Sequence, residues 1–119
     1  MNYAVVGFGT AGYHAVKAIR TCDKEGEIDV YSNTSRAPYN PMLTTYYAFG
    51  KLEFDGLFPF EDLDQIRKEI SFHLIQEPVI RVHAKEHLVE TKQKTKQYDR
   101  ILIATGARAF APPVKGLDP

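Results

Sequence analysis

Residues 3–12 read Tyr-Ala-Val-Val-Gly-Phe-Gly-Thr-Ala-Gly, and few decapeptides restrict a fold so strongly. A short apolar run rich in β-branched residues predicts a strand over 3–6. Gly7, Gly9 and Gly12 then form GxGxxG. After them Ala15, Val16, Ala18, Ile19 and Cys22 recur at helical spacing, with Lys17 and Arg20 between. Gly26 ends the helical region, and residues 28–31 predict a second strand. The whole is a βαβ unit with its glycines at the strand-to-helix turn, the context in which this motif carries information. Gly7 turns the strand sharply, Gly9 lets a pyrophosphate approach the backbone, and Gly12 packs helix against strand. The helix start offers unpaired N–H groups and a partial positive charge to that phosphate.

Dinucleotide sites of this type place an acid about 20 residues past the glycines, where it accepts from a ribose. Here the second strand runs into Ser32-Asn33-Thr34. Asp29 comes too early, in the body of the strand, so Asn33 takes the acidic position as a neutral acceptor. A turn-only role for Asn33 is the alternative. Ser32 and Arg36 also fit a 2′-phosphate site, which would suit direct NADP binding.

Residues 36–41 are turn-rich. Asn40 is suited to cap a helix and Pro41 to open it, which predicts a helix from 41 to about 49 with Gly50 as its stop. The stretch 51–60 holds several aromatics without a period. Glu61-Asp62 open another short helix whose apolar face is Leu63, Ile66 and Ile70, and residues 72–75 predict a third parallel strand. Strand-like runs at 79–82, 88–91 and 97–104 follow closely, with Gln93-Lys94-Thr95-Lys96 as a polar turn. Such spacing predicts an antiparallel meander over the parallel sheet. The basic stretch 92–96 is expected to be a solvated hairpin tip, and residues 101–104 a buried strand.

Composition narrows the function classes. The 119 residues suit one domain. Fifteen basic residues balance fifteen acidic ones, so nothing favours nucleic acid or an acidic membrane surface. No apolar run nears the ~18 residues of a spanning helix, and residues 1–3 do not resemble a signal peptide. The single cysteine, Cys22, precludes an internal disulfide and fits a reducing, cytoplasmic setting. Its place in the helical pattern predicts core packing. His83 and His87 are four apart on a strand and a turn, which does not bring them to one face, so no metal site is expected.

Four segments in order, VVGFGTAG, APYNPML, YDRILIATGAR and PPVKGLD, resemble the N-terminal FAD-binding segment of the pyridine nucleotide-disulfide oxidoreductase superfamily. The branch with ferredoxin, rubredoxin and nitrite reductases is the most similar in flavour. The resemblance spans essentially the whole chain and implies a Rossmann-like three-layer α/β domain over residues 1–119. That domain has a parallel sheet and an antiparallel β-meander, and is truncated. It implies that Gly7, Gly9 and Gly12, with Thr10 and Ala11, hold the FAD pyrophosphate. Ser32 and Asn33 stand at the ribose, and Val79 stands where backbone meets the adenine. Ala104, Thr105 and Gly106 run beside the cofactor, and Pro41, Thr44 and Thr45 begin the helix approaching the flavin. No catalytic side chain is assigned.

Two departures stand out. The disulfide reductases of the superfamily carry a redox cysteine on the helix at 41–46, and this chain has none there. Thr45 stands roughly where the ferredoxin-reductase branch has a lysine. The resemblance further implies an N-terminal piece, without the NAD(P)H domain, the returning FAD segment and the interface domain. The parent would pass a hydride from NAD(P)H to FAD and on to a protein or small-molecule acceptor, while the piece alone would be inactive. A stand-alone nucleotide-binding or regulatory module and a Rossmann domain using NAD(P) directly remain as alternatives.

Overall fold

The computed structural model describes residues 1–108 and 110–116. The last part of the PPVKGLD motif, at Leu117 and Asp118, lies outside the described residues.

Strand β1 (Asn2–Val6) passes through the glycine turn into helix α1 (Thr10–Cys22) and returns as β2 (Glu27–Tyr31). The two strands pair in parallel, Tyr3 opposite Ile28 and Val6 opposite Tyr31. The segment predicted as one helix from 41 divides in two. Asn40 caps a 3-10 turn, Pro41–Leu43, by accepting from the Met42 N–H at 3.0 Å. The α-helical part, α2 (Thr44–Ala48), follows directly. Gly50, at φ +69°, ends it as expected. A further 3-10 turn, Phe54–Leu57, occupies the aperiodic aromatic stretch. Helix α3 (Leu63–Glu69) is capped by Asp62, whose carboxylate accepts from the Gln65 N–H at 2.9 Å. Strand β3 (His73–Ile75) then pairs in parallel with β2.

The C-terminal strands differ from expectation. The meander consists of β4 (Val79–His83), β5 (Leu88–Thr91) and β6 (Thr95–Gln97). Half of the expected polar turn is therefore strand: Thr95 and Lys96 pair with Glu90 and Val89. Residues 97–104 are not one strand of the meander. The chain leaves it at Tyr98-Asp99 and runs on as β7 (Arg100–Ile103), parallel to β1 in the order β3-β2-β1-β7. The unbroken polar run Gln-Lys-Thr-Lys-Gln at 93–97 hid β6, because a strand with no apolar residue on either face gives no alternating signal.

Two cores lie on the two faces of the parallel sheet. Val5, Ile28 and Val30 pack against Tyr13 and Val16 of α1 and Ile66 of α3. Ala4, Val6 and Tyr31, one residue out of phase, pack against Val89 of the meander and Tyr98. Helices, parallel sheet and meander are thus three layers, and strand alternation sends each side chain to its own core.

Two burial expectations fail. Cys22 is exposed: the inward stripe of α1 runs through Gly12, Tyr13 and Val16, and six residues on from Val16 the helix has turned Cys22 outward. Ala18 is exposed for the same reason. Strand β7 is not buried either, with Leu102 41% and Ile103 63% exposed. It forms the sheet's edge beyond β1, where Ile101 packs against the core of Val89 and Tyr98 while Leu102 and Ile103 stay open.

Candidate functional site

In a parallel sheet every strand ends at the same edge, and here that edge collects the glycine turn, Ser32-Asn33, Gln76-Glu77 and Ala104-Thr105. The crevice beyond the carboxyl ends, where strand order reverses about β1, is where such sheets bind ligands.

The glycine turn is held from both sides. The Gly7 N–H donates to the Tyr31 carbonyl at 2.8 Å, and the Ala104 N–H donates to the Val6 carbonyl at 2.8 Å. Gly7 adopts φ +104°, a conformation that L side chains rarely adopt. A Cβ there would also strike the Ala104 carbonyl group and come within 2.9 Å of the Thr105 Cα. The backbone of the ATG segment thus lies directly on the turn. Gly12 sits beneath: a Cβ on it would collide with the Gly7 carbonyl, so only glycine lets α1 start this close to β1. Gly9 differs, since a Cβ there would meet no protein atom within 4 Å. No side chain caps α1 and no acid stands in its first turn. The N–H groups at its start are therefore left facing the crevice, with the positive end of the helix dipole behind them.

The crevice is a cleft of about 790 Å³, within the range of small-molecule and cofactor sites. Gly7, Gly9, Thr10 and Ala11 form its floor, and Ser32, Asn33 and Val79 line it from the β2 and meander sides. Ala104, Thr105 and Gly106 line it from β7, and Pro41 from the loop before α2. Three predicted residues are not in its walls. Gly12 acts from below, and Thr44 and Thr45 are exposed on α2, the Thr44 hydroxyl donating to the Pro41 carbonyl at 2.8 Å. The Asn33 amide has no protein partner among the described residues, whereas the Ser32 hydroxyl accepts from the Thr34 N–H at 3.2 Å. Arg36 lines the cleft with its guanidinium 5.6 Å from the Phe54 ring centroid.

Several wall residues escaped the sequence reading. Phe54, Leu57 and Phe58 make an apolar flank from the aperiodic stretch. Glu77 also lines the cleft. Its spacing of two from Val79 was a usable signal, because in extended chain such residues share a side.

Behind the cleft wall lies a polar cluster around Asp29, which is 3% exposed. Its carboxylate accepts from the Lys96 ammonium and the Tyr98 hydroxyl, each at 2.7 Å, and meets the His73 ring at 3.2 Å. Tyr98 and Tyr31 hydroxyls lie 2.7 Å apart, and Tyr31 lines the cleft. Burial pushes the Asp29 carboxyl up, but hydrogen bonds from Lys96, Tyr98 and His73 outweigh it and hold the group below its usual range. Burial, then the Asp29 carboxylate, push the Tyr98 hydroxyl well above the usual tyrosine range. Lys96 is therefore not a solvated hairpin residue: it pins the meander to the sheet. His83 pairs with Glu90 at 2.8 Å, not with His87. Among the described residues no helix is long and apolar enough to cross a membrane.

Comparison with known proteins identifies the family. The family model described as pyridine nucleotide-disulphide oxidoreductase matches residues 1–119. The chain is 29% identical over 118 residues to the NADH-dependent phenylglyoxylate dehydrogenase subunit epsilon of Aromatoleum evansii, covering 98% of this chain and 28% of the relative. It is 29% identical over 124 residues to an NADH oxidase of Methanocaldococcus jannaschii, covering 99% and 28%. Among solved structures, a NAD-dependent persulfide reductase from A. fulgidus superposes with a TM-score of 0.86 at 27% identity, covering 99% of this chain and 23% of that one. The chain thus spans less than a third of the length of the relatives it matches.

Proposed function

The chain belongs to the pyridine nucleotide-disulphide oxidoreductase family, and on that premise we propose that its cleft holds the adenosine-diphosphate half of FAD. The parent protein is then an FAD-dependent NAD(P)H oxidoreductase, and residues 1–119 are its N-terminal FAD-binding domain. The observation that carries this reading is the turn at residues 7–12. Gly7 and Gly12 are packed solid against protein, while the space beside Gly9 is open to an uncapped helix start. That contrast suits a diphosphate lying against Gly9, with the Thr10 and Ala11 N–H groups donating to it.

Bound FAD supplies hydride acceptance from NAD(P)H and onward transfer of electrons to an acceptor, protein or small molecule. The chain's own part is to bind and orient. Ser32 and Asn33 stand at the ribose, the Val79 backbone at the adenine, and Ala104 to Gly106 along the dinucleotide. Phe54 and Phe58 keep water from the apolar flank. No thiol near α2 attacks a disulfide: Cys22 sits at the far end of α1, exposed. An exposed free thiol suits a reducing compartment such as the cytoplasm.

The test uses the 119-residue chain. FAD fluorescence should change saturably on titration with the chain, ADP should reverse the change, and NADH should not be consumed in its presence. A steady NADH-oxidising rate would overturn the proposed dependence on further sequence. Tight NADP binding without affinity for FAD or ADP would overturn the FAD assignment in favour of direct NAD(P) use.

A further inference from the structure

We infer that Glu77, not a residue at the end of β2, supplies the carboxylate that recognises the ribose diol of the bound adenosine. The inference rests on the reading of the cleft as an adenosine-diphosphate site and names the group that sets its ribose specificity.

Four observations carry it. First, the β2 terminus offers only Asn33, a neutral amide. Second, Glu77 and Asn33 leave neighbouring strand ends in step. Tyr31 stands opposite Ile75 in the parallel register, and the Ser32 N–H donates to the Ile75 carbonyl at 3.0 Å. Two residues further along each strand come Asn33 and Glu77, and both line the cleft. With adjacent strands about 4.8 Å apart, an acceptor on one reaches a ligand group that sits over the other.

Third, the carboxylate is aimed. Glu77 Oε2 accepts from the Thr91 hydroxyl at 2.7 Å, and Thr91 is itself buried and held by the Gln93 and Lys94 N–H groups at 3.2 and 3.1 Å. The second carboxylate oxygen has no protein partner among the described residues. Fourth, the charge lacks a structural reason. Glu77 is half-buried and makes no ion pair among the described residues. Thr91 has a second acceptor in the Lys94 carbonyl at 3.2 Å. A partly desolvated carboxylate without a cation is costly to keep, and a donor-bearing ligand in the cleft offsets that cost. A ribose diol donates to such an oxygen, and a 2′-phosphate is repelled by it.

Isothermal titration of the chain with ADP, 2′-deoxy-ADP and adenosine 2′,5′-bisphosphate tests this, with a thermal melt of each variant alongside. The wild-type chain should bind ADP about tenfold more tightly than 2′-deoxy-ADP, the scale of one charge-assisted hydrogen bond. In Glu77→Gln, ADP should weaken about tenfold, the ADP to 2′-deoxy-ADP ratio should fall toward one, and the 2′,5′-bisphosphate should gain affinity. Thr91→Val, which keeps the charge but releases its aim, should lower the same ratio and serves if Glu77→Gln melts early. Unchanged ADP affinity in Glu77→Gln, or equal losses for ADP and its 2′-deoxy form, would overturn the inference and leave the FAD reading standing. Failure of the wild-type chain to bind ADP at all would instead overturn that reading, and this inference with it.

Discussion

Gly9 and Gly12 are three residues apart, and the same substitution should act on them in opposite ways. In Gly12→Ala the new Cβ enters the Gly7 carbonyl, with the carbonyl carbon only 3.0 Å away and the oxygen nearer still. Ordinary contact begins at roughly 3.5 Å, and the oxygen sets the shift, so the start of α1 must lift from β1 by about an ångström or more. The Cβ is fixed by its own backbone and the atoms it strikes are backbone, so no side-chain rotation relieves the clash. Overpacking of this kind costs about 1–3 kcal/mol, and the upper end applies here. Alanine returns up to about 1 kcal/mol through helix propensity. A net loss of about 2 kcal/mol corresponds to a drop in Tm of roughly 6–12 °C for a chain of this length.

Gly9→Ala meets no protein atom. Alanine is poorer than glycine as an N-cap by roughly 0.5–1 kcal/mol, and a stiffer unfolded chain offsets about 0.4–1 kcal/mol of that. Its Tm should stay within about 3 °C of wild type. Its affinity for ADP or FAD should fall tenfold or more, because the methyl stands where the diphosphate approaches. Circular-dichroism melts and ligand titration of both variants supply the readouts. A Gly12→Ala chain as stable as wild type, or a Gly9→Ala chain that binds normally, would refute this account of the turn.

Two further outcomes concern the frame around the cleft. The Asp29 carboxyl is held below its usual range by Lys96, Tyr98 and His73, so its stabilisation is complete above the unfolded value of about 3.9 and is lost as pH falls through the lower folded value. Asp29→Asn should therefore lose about 2–3 kcal/mol at pH 7 and show a shallower decline below about pH 4 than wild type; parallel acid-melting profiles would contradict the assigned network. Ile28, 1% exposed, and Ile103, 63% exposed, are both strand isoleucines. Replacement by alanine should cost about 2–5 kcal/mol at Ile28 and under about 0.5 kcal/mol at Ile103, as measured by urea unfolding; equal losses would mean that β7 is covered.

Much of this protein was legible in its sequence because the deciding interactions are local. The turn at residues 7–12 needs a left-handed Gly7 and a close Gly12, and both demands show in the identity of the residues. Asn40 and Asp62 cap the segments that follow them with their own side chains, so those starts were visible too. The glycine spacing and the end of β2 put Gly7 and Asn33 at one dinucleotide site, and the family resemblance added Val79 and Thr105. What lay beyond reach was set by partners distant along the chain. Residues 97–104 carry the same amino acids whether they extend a meander or join β1. Pairing with β1, nearly 100 positions away, decides between them, as the Asp99 N–H bonded to the Asn2 carbonyl at 3.0 Å illustrates. Asp29 looked like a misplaced acid and Lys96 a surface charge until the layers brought them within 2.7 Å. Cys22 and Ile103 were read as buried from apolar character alone, but burial depends on what stands opposite. A residue's backbone preference is its own, whereas its environment and its charge partner exist only once the layers have packed.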